Sequence, residues 1–374
     1  MINIVADQHI PGLGRIIADS LDAEYALQYF SPEDWGYKDL KDIDALFVRS
    51  SVNVNQDLCR DSKIRFVGSA TAGINHLDIK FLKDHNIEWV HAPGCNSISV
   101  VHYVMAVIGE LIAESHFNVD QSIGIIGYGN IGKKLYKLLS ALKIPVYAYD
   151  PFLSDDHLIE LDQVLECDLI SIHAPLTHIG EHRTQNLINH SHMKALKNKI
   201  LINTSRGGIV SEDLVIESKD LIYIADVWID EPNPSKEIID RAFIATPHIA
   251  GYSIEGKLNG ATTVARACAQ FFHCQKEDVL FGDGLFAWPH GMEQIIHDLQ
   301  SFRFPIAIFK SELDIKGISN IFKSISPTDI SYQFTNLRLN HAPRHDCNYY
   351  SYEGILKIDQ SIDVNFFNAL KDIS

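Results

Sequence analysis

Three residues, Arg206, Glu231 and His248, could bind a 2-hydroxy acid and exchange its hydroxyl proton while a nicotinamide cofactor takes or gives the hydride. A guanidinium can grip a carboxylate through two hydrogen bonds and polarise the neighbouring carbon. A histidine exchanges protons near neutral pH, and an adjacent carboxylate stabilises its charged form. The set therefore suits substrate binding by Arg206, proton exchange by His248 and support of the imidazolium by Glu231.

The segments before these residues predict that all three lie at one edge of a sheet. Each residue follows a short apolar run that is typical of a buried strand, and the runs are, in turn, Ile200–Ile202, Ile222–Ala225 and Phe243–Ala245. The carboxyl ends of parallel strands meet at one edge, where ligands bind in such folds. Singly, each residue has an ordinary explanation, such as a surface ion pair or a helix-start charge. Together, beside a nucleotide site, they indicate an active site.

A glycine-rich turn supplies that nucleotide site. The sequence Gly127-Tyr128-Gly129-Asn130-Ile131-Gly132 follows the apolar run Ile123–Ile126 and opens a helical pattern. The first glycine permits a tight turn, the second lets a pyrophosphate approach the backbone, and the third lets the helix pack close to the strand. A carboxylate, Asp150, comes about 20 residues after the turn, as expected for a dinucleotide fingerprint.

The carboxylate also predicts which dinucleotide binds. Asp150 can accept hydrogen bonds from the ribose hydroxyls, and its charge would repel a 2′-phosphate, so NAD is favoured over NADP. The residues expected to bind NAD at this turn are Gly127, Gly129, Asn130, Ile131, Gly132 and Asp150.

Composition excludes several classes of function. The chain has 374 residues and a formal net charge of −16, which disfavours nucleic acids and anionic membrane surfaces as partners. An anionic substrate must therefore find local arginines, histidines or backbone donors. The six cysteines are scattered without C-x-x-C pairs, so we predict reduced thiols and no metal site. The first residues read as a strand rather than a leader, and no apolar run suits a membrane span, so we expect a cytoplasmic protein.

Alternating strand-like and helix-like segments predict an α/β fold with two doubly wound, Rossmann- or flavodoxin-like parallel sheets. The first domain is expected to comprise residues 1–95 and a returning helix within 256–280, and the nucleotide-binding domain residues 96–255. Beyond Gly282-Asp283-Gly284 aromatic residues and histidines become more frequent, and Trp288-Pro289-His290-Gly291 interrupts the chain. Residues 285–374 are therefore predicted to form a small α+β C-terminal domain.

The site segments closely resemble the D-isomer-specific 2-hydroxyacid dehydrogenases, over roughly residues 1 to 275. The motifs that carry the resemblance are N-x-x-R-G-G from Asn203, D-V-x-x-x-E-P from Asp226, P-H-I-A-G from Pro247 and H-A-P-L-T from His173. The resemblance implies that Arg206 binds the substrate carboxylate, that Glu231 pairs with His248 and that His248 is the proton acceptor and donor. It also implies that Ala174, Asp226 and Gly251 line the NAD site.

Further stretches, within residues 48–50, 66–73, 92–96 and 247–257, resemble a branch of that family whose substrate is a phosphorylated hydroxy acid. This resemblance implies substrate contacts from Ser50, Thr71 and Tyr252, and a first domain that acts as a substrate-binding lid. The segment Phe334-x-x-Leu337-Arg338-x-Asn340 resembles a dimerisation domain, which implies a homodimer through the C-terminal domain. Arg49 is equally compatible with a phosphate contact and with an ion pair.

Two alternatives remain open at this point. The substrate could be another 2-hydroxy acid, such as 3-phosphoglycerate. The chain could instead be a dinucleotide-sensing binding protein, since some members of the family are transcriptional corepressors. The presence of Arg206, Glu231 and His248 together favours an enzyme.

Overall fold

The computed structural model of the chain describes residues 1–31, 40–276, 286–288, 292–352, 355 and 363–373. The chain divides into two compact units, one of Met1–Asn96 with Ser253–Gly284 and one of Ser97–Tyr252 with Leu285–Ser374. The predicted turns at residues 282–284 and 289–291 lie outside the described residues. Among the described residues, no helix is long and apolar enough to cross a membrane.

The first unit contains a five-stranded parallel sheet in the order β2-β1-β3-β4-β5. Its strands are β1 (Ile2–Asp7), β2 (Tyr25–Phe30), β3 (Ala45–Val48), β4 (Phe66–Ser69) and β5 (Glu88–His91). Its helices are Leu13–Ser20, Ile79–Asp84 and Ile254–Phe271. Strands β3 and β4 are buried on both faces, as in sheets covered by helices on each side. The sequence does not predict the edge strand β2, whose side chains are half-buried or exposed.

The second unit contains a six-stranded parallel sheet in the order β11-β10-β9-β8-β6-β7. Its strands are β6 (Ile123–Ile126), β7 (Val146–Tyr149), β8 (Leu169–Ile172), β9 (Ile200–Asn203), β10 (Ile222–Ala225) and β11 (Ile244–Ala245). A parallel bridge between Ala148 and Leu158 extends the sheet beyond β7. The strand order reverses at β6, and nucleotides bind at such a reversal. The two predicted parallel-sheet α/β folds are confirmed.

The helices Gly132–Ala141, Leu161–Leu165, Glu212–Glu217 and Lys236–Arg241 connect the strands of this second sheet. A longer helix, Ser97–Ala113, precedes β6 and is buried along nearly its whole length. The register of the sheet aligns the carboxyl ends of β9, β10 and β11, because Ala225 of β10 pairs with both Asn203 of β9 and Ala245 of β11. The loops that carry Arg206, Glu231 and His248 therefore leave neighbouring strands at one edge.

The C-terminal residues of the second unit are mostly helical. Their helices are Met292–Phe302, Ile306–Lys310, Ile315–Lys323, Ile330–Leu339 and Asn365–Lys371, and a short parallel pair joins β12 (Phe286–Ala287) to β13 (Tyr350–Ser351). Phe304 and Phe309 share a core with Val104 of the helix Ser97–Ala113, and Lys310 pairs with the buried Glu110 at 2.8 Å. These residues thus contribute to the core of the nucleotide-binding unit. The domain boundaries from the sequence stay predictions.

Candidate active site

His248, predicted to exchange the proton, and Glu231, its predicted partner, are in direct contact. Nδ1 of His248 lies 2.6 Å from Oε2 of Glu231, and the two side chains are 30% and 21% exposed. His248 has a positive φ of 56°, a conformation that non-glycine residues rarely adopt outside turns and functional sites. The loop after β11 therefore holds the imidazole against Glu231, with part of the ring accessible to a reactant.

The ionisation of Glu231 decides which nitrogen of His248 can act as a base. Burial alone would raise the pKa of Glu231, but the charge and hydrogen bond of His248, together with the Trp228 N–H, bring the pKa below its ordinary value. An ionised carboxylate can only accept hydrogen bonds, so Nδ1 of His248 carries the hydrogen. Nε2 of the neutral ring is then the basic nitrogen.

A buried network fixes the loop that carries His248. Asp226 is fully buried, and its carboxylate accepts hydrogen bonds from the N–H groups of Ile249 and Ala250 at 2.8 Å each. It also accepts one from the Thr246 hydroxyl at 2.6 Å, and the Trp228 indole donates to the carbonyl of Thr246 at 2.9 Å. The family resemblance implies that Asp226 lines the NAD site, and its contacts within the protein brace residues 246–250.

Arg206 lies in the loop after β9. Its guanidinium donates to the carbonyl of Ser205 at 2.7 Å, and its own carbonyl accepts from the Asn203 amide at 3.0 Å. Burial lowers the pKa of Arg206, while the nearby charge of Glu231 raises it. Among the described residues no carboxylate lies within ion-pair distance of this guanidinium, so its positive charge is available to an anionic ligand.

The glycine turn fits a dinucleotide. Gly127 has a positive φ of 96°, and a Cβ there would lie 2.7 Å from the His173 carbonyl carbon. At Gly132 a Cβ would lie 2.0 Å from the Gly127 oxygen. A Cβ at Gly129, in contrast, would meet no protein atom within 4 Å. Packing within the protein thus requires glycine at positions 127 and 132. At position 129 the protein itself does not require glycine, but the close approach of a pyrophosphate would.

The helix that follows this turn begins without a side-chain cap. Ile131 is its N-cap residue and makes no capping hydrogen bond, and Asn130 is exposed beside it. The first N–H groups of a helix need acceptors, and a phosphate provides them together with charge that complements the helix dipole. Asn130 and Ile131 therefore lie where the sequence predicts pyrophosphate binding.

Asp150 follows β7 and contacts the same turn. One carboxylate oxygen accepts from the Tyr128 N–H at 2.9 Å and the other from the Phe152 N–H at 3.1 Å. These bonds orient the carboxylate and leave lone pairs for ribose hydroxyls. Of the two remaining predicted NAD contacts, Ala174 accepts a hydrogen bond from the Ser205 hydroxyl through its carbonyl, and Gly251 directly follows the braced Ala250.

The predicted substrate contacts Ser50 and Thr71 lie in the first unit. Ser50 is exposed after β3, and Thr71 follows β4, where its hydroxyl lies 2.9 Å from that of Ser69. Arg49 beside them donates from Nε to the buried Asp7 at 3.0 Å. Of the two possibilities that the sequence leaves open for Arg49, the contacts favour the ion pair.

Tyr252, the third predicted substrate contact, lies beside two C-terminal residues. Its ring centroid is 6.3 Å from that of His341 and 5.6 Å from the guanidinium carbon of Arg338. Sequence reasoning did not assign Arg338 to the site, since only tertiary contacts relate it to Tyr252. A local signal was the spacing of Phe334 and Arg338, which share one face of a helix.

Titratable groups in the described residues form no cluster of three or more that could hold a metal ion. The residues described above comprise a nucleotide turn, a guanidinium and a histidine–carboxylate pair. This combination defines a nicotinamide-dependent dehydrogenase of hydroxy acids. The family model described as "D-isomer specific 2-hydroxyacid dehydrogenase, NAD binding domain" matches residues 113–250, which confirms NAD as the cofactor.

Relatives with curated names show which group of these dehydrogenases the chain belongs to. The erythronate-4-phosphate dehydrogenase of Marinomonas sp. is 34% identical over 281 residues, 72% of this chain and 73% of that protein. The enzyme of the same name from Baumannia cicadellinicola is 38% identical over 282 residues, 72% of this chain and 74% of that protein. The chain belongs to the erythronate-4-phosphate dehydrogenases, within the D-isomer-specific 2-hydroxyacid dehydrogenases.

A solved structure agrees on the fold. The NAD⁺-bound 3-phosphoglycerate dehydrogenase of Entamoeba histolytica superposes with a TM-score of 0.61 at 24% identity, covering 75% of this chain and 99% of that one. At this level of identity the likeness supports the fold and carries no information on the substrate.

Proposed function

We propose that this chain oxidises 4-phospho-D-erythronate at C2 with NAD, giving 2-oxo-3-hydroxy-4-phosphobutanoate, as a step in pyridoxal 5′-phosphate biosynthesis. The names of the curated relatives support the substrate. The observation that carries the reaction type is the 2.6 Å contact between Nδ1 of His248 and Glu231, which leaves Nε2 as a base.

His248 removes the proton of the C2 hydroxyl through Nε2. The imidazolium that forms is stabilised by Glu231, whose lowered pKa keeps it ionised near neutral pH. Bound NAD supplies the acceptor for the hydride that leaves C2. In the reverse direction His248 returns the proton to the oxygen.

Arg206 binds the substrate carboxylate. Its guanidinium suits this role because it is half-buried and has no carboxylate partner among the described residues. Ser50, Thr71 and Tyr252 contribute further substrate contacts. Residues 127–132 hold the pyrophosphate and Asp150 the adenosine ribose. The first unit acts as the substrate-binding lid, residues 285–374 form a homodimer interface, and the enzyme works in the cytoplasm.

The experiment is a substrate panel with NAD. It compares 4-phosphoerythronate with 3-phosphoglycerate and unphosphorylated 2-hydroxy acids, with a 2-oxo acid added to reoxidise NADH. The proposal predicts the highest kcat/KM for 4-phosphoerythronate, and loss of turnover in His248→Asn.

If the enzyme has a higher kcat/KM for another hydroxy acid, the proposed substrate is wrong, but the proposed mechanism still holds. Tight NADH binding with no turnover of any hydroxy acid would instead support a dinucleotide-sensing protein.

A further inference from the structure

Arg338 lies in the last turn of the helix Ile330–Leu339, within the segment that resembles a dimerisation domain and outside the four motifs at Asn203, Asp226, Pro247 and His173. Its guanidinium carbon is 5.6 Å from the ring centroid of Tyr252 and 5.6 Å from that of Phe334. Guanidinium groups stack favourably on aromatic faces, so the two rings hold the side chain in place. Arg338 is therefore oriented before any ligand binds.

The charge of Arg338 acts on Glu231, the partner of His248. Burial would raise the pKa of Glu231; His248, the Trp228 N–H and Arg338 all act to lower it. The guanidinium thus lies near a carboxylate of the site without forming an ion pair with it.

The polar groups of Arg338 are not satisfied by the part of the chain that the structure describes. Nε is buried and has no hydrogen-bond partner there, and no carboxylate lies within ion-pair distance of the guanidinium. A buried donor without an acceptor is costly, so a half-buried arginine in this state is a good receptor for an external anion.

Other arginines near functional segments are already occupied. Arg49 is bound to the buried Asp7, and Arg344 donates to the carbonyls of Ser99 and Ala250 at 3.1 and 2.9 Å. A substrate with a carboxylate and a phosphate needs two local cations, because the chain as a whole carries a charge of −16. Arg206 donates to one main-chain carbonyl, but neither Arg206 nor Arg338 has a carboxylate within ion-pair distance among the described residues of the second unit.

We propose that Arg338 binds the phosphate of the substrate beside Tyr252, while Arg206 binds the carboxylate. This inference rests on the proposed function, since it names a phosphate receptor for the same site. It gives a C-terminal helix a direct part in substrate selection.

The test compares Arg338→Met and Arg338→Lys with Arg303→Met, which removes an exposed arginine that pairs with Asp120 at 2.5 Å. For Arg338→Met we expect KM for 4-phosphoerythronate to rise about 10- to 100-fold, the usual worth of charged hydrogen bonds. Affinity for unphosphorylated D-erythronate, measured as a substrate or competitive inhibitor, should change less than about twofold. Arg338→Lys should recover part of the loss because it keeps the charge but not the planar fork.

Inhibition by inorganic phosphate tests the role of Arg338 independently of which hydroxy acid is the substrate. With whichever hydroxy acid the wild type oxidises, phosphate should inhibit the wild type and Arg303→Met competitively, and should inhibit Arg338→Met far less. If 4-phosphoerythronate is not a substrate but this difference persists, the proposed function fails and the phosphate receptor stands.

Two results would overturn the inference. Equal losses for phosphorylated and unphosphorylated ligands would mean that Arg338 acts only by holding Tyr252. Dissociation of Arg338→Met in sedimentation, with activity recovering at high protein concentration, would make Arg338 an interface residue. NADH affinity, expected to be unchanged, reports whether each variant is folded.

Discussion

Glu231 bridges the His248 imidazole and the Trp228 main chain. Its Oε2 lies 2.6 Å from Nδ1 of His248, and its Oε1 accepts the Trp228 N–H at 2.9 Å. Because both oxygens are engaged, the carboxylate has one orientation and selects one tautomer of the ring.

Replacing His248 with Asn should slow the chemical step by ~10²–10⁴-fold, because the substrate hydroxyl loses its proton acceptor. NAD affinity should stay unchanged. Single-turnover kinetics and NADH titration measure the two effects. Near wild-type rates in the variant would remove His248 from the mechanism.

Asp226→Asn should destabilise the second unit by about 1–3 kcal/mol at low pH, because the NH2 group of an amide cannot accept a hydrogen bond, whereas both oxygens of a protonated carboxyl can, and an N–H of the His248 loop is left unpaired. Burial raises the pKa of Asp226 to about 6, despite the opposing charge of His248 and the three hydrogen bonds. The native state therefore keeps this proton to higher pH than the unfolded chain, whose carboxyl has a pKa of ~3.9.

It follows that the stability of the wild type relative to Asp226→Asn should fall as the pH rises from about 4 to about 6. Urea unfolding at several pH values checks this, with the exposed Asp156→Asn as control. A constant difference across that range would show that Asp226 is ionised throughout.

Asp150→Ala should weaken NAD binding and reduce the discrimination against NADP, because the ribose acceptor and the charge opposing a 2′-phosphate are lost together. The ratio of kcat/KM for the two cofactors is the measurement, and Asp156→Ala is the matched control. If the ratio does not change, cofactor choice lies with other residues.

Tyr252→Phe should raise KM for the phosphorylated substrate several-fold and leave NADH affinity as it is, since loss of a buried hydrogen-bond partner costs ~1–3 kcal/mol. The ring, and so its contact with Arg338, is retained. Steady-state kinetics and thermal unfolding are compared. A lower melting temperature with an unchanged KM would identify Tyr252 as a purely structural residue.

Removing residues 286–374 should unfold or aggregate the nucleotide-binding unit rather than yield a shorter folded enzyme. The deletion strips Phe304 and Phe309 from the core around the helix Ser97–Ala113, and Arg344 from the carbonyl of Ala250. Circular dichroism and NADH titration of the truncated chain test this. A folded product that binds NADH would show that the C-terminal residues are dispensable for that core.

Several features of the fold could be read from local patterns. Short buried strands of a parallel sheet appear as continuous apolar runs, so β6 and β10 have the predicted bounds. The edge strand β2 was missed because it is half-exposed and carries no such run. The helix Ile79–Asp84 was missed as well, being too short for a periodic pattern to emerge.

The sequence by itself determined the nucleotide turn, the strand ends and the residue types at them, because glycine spacing and apolar runs act over a few residues. Only the tertiary structure decided that Asp226 braces the loop of His248, that Arg49 is bound to Asp7 and that Arg338 lies against Tyr252. These pairings join residues far apart in the chain. They arise from the packing of whole elements, which no local pattern encodes.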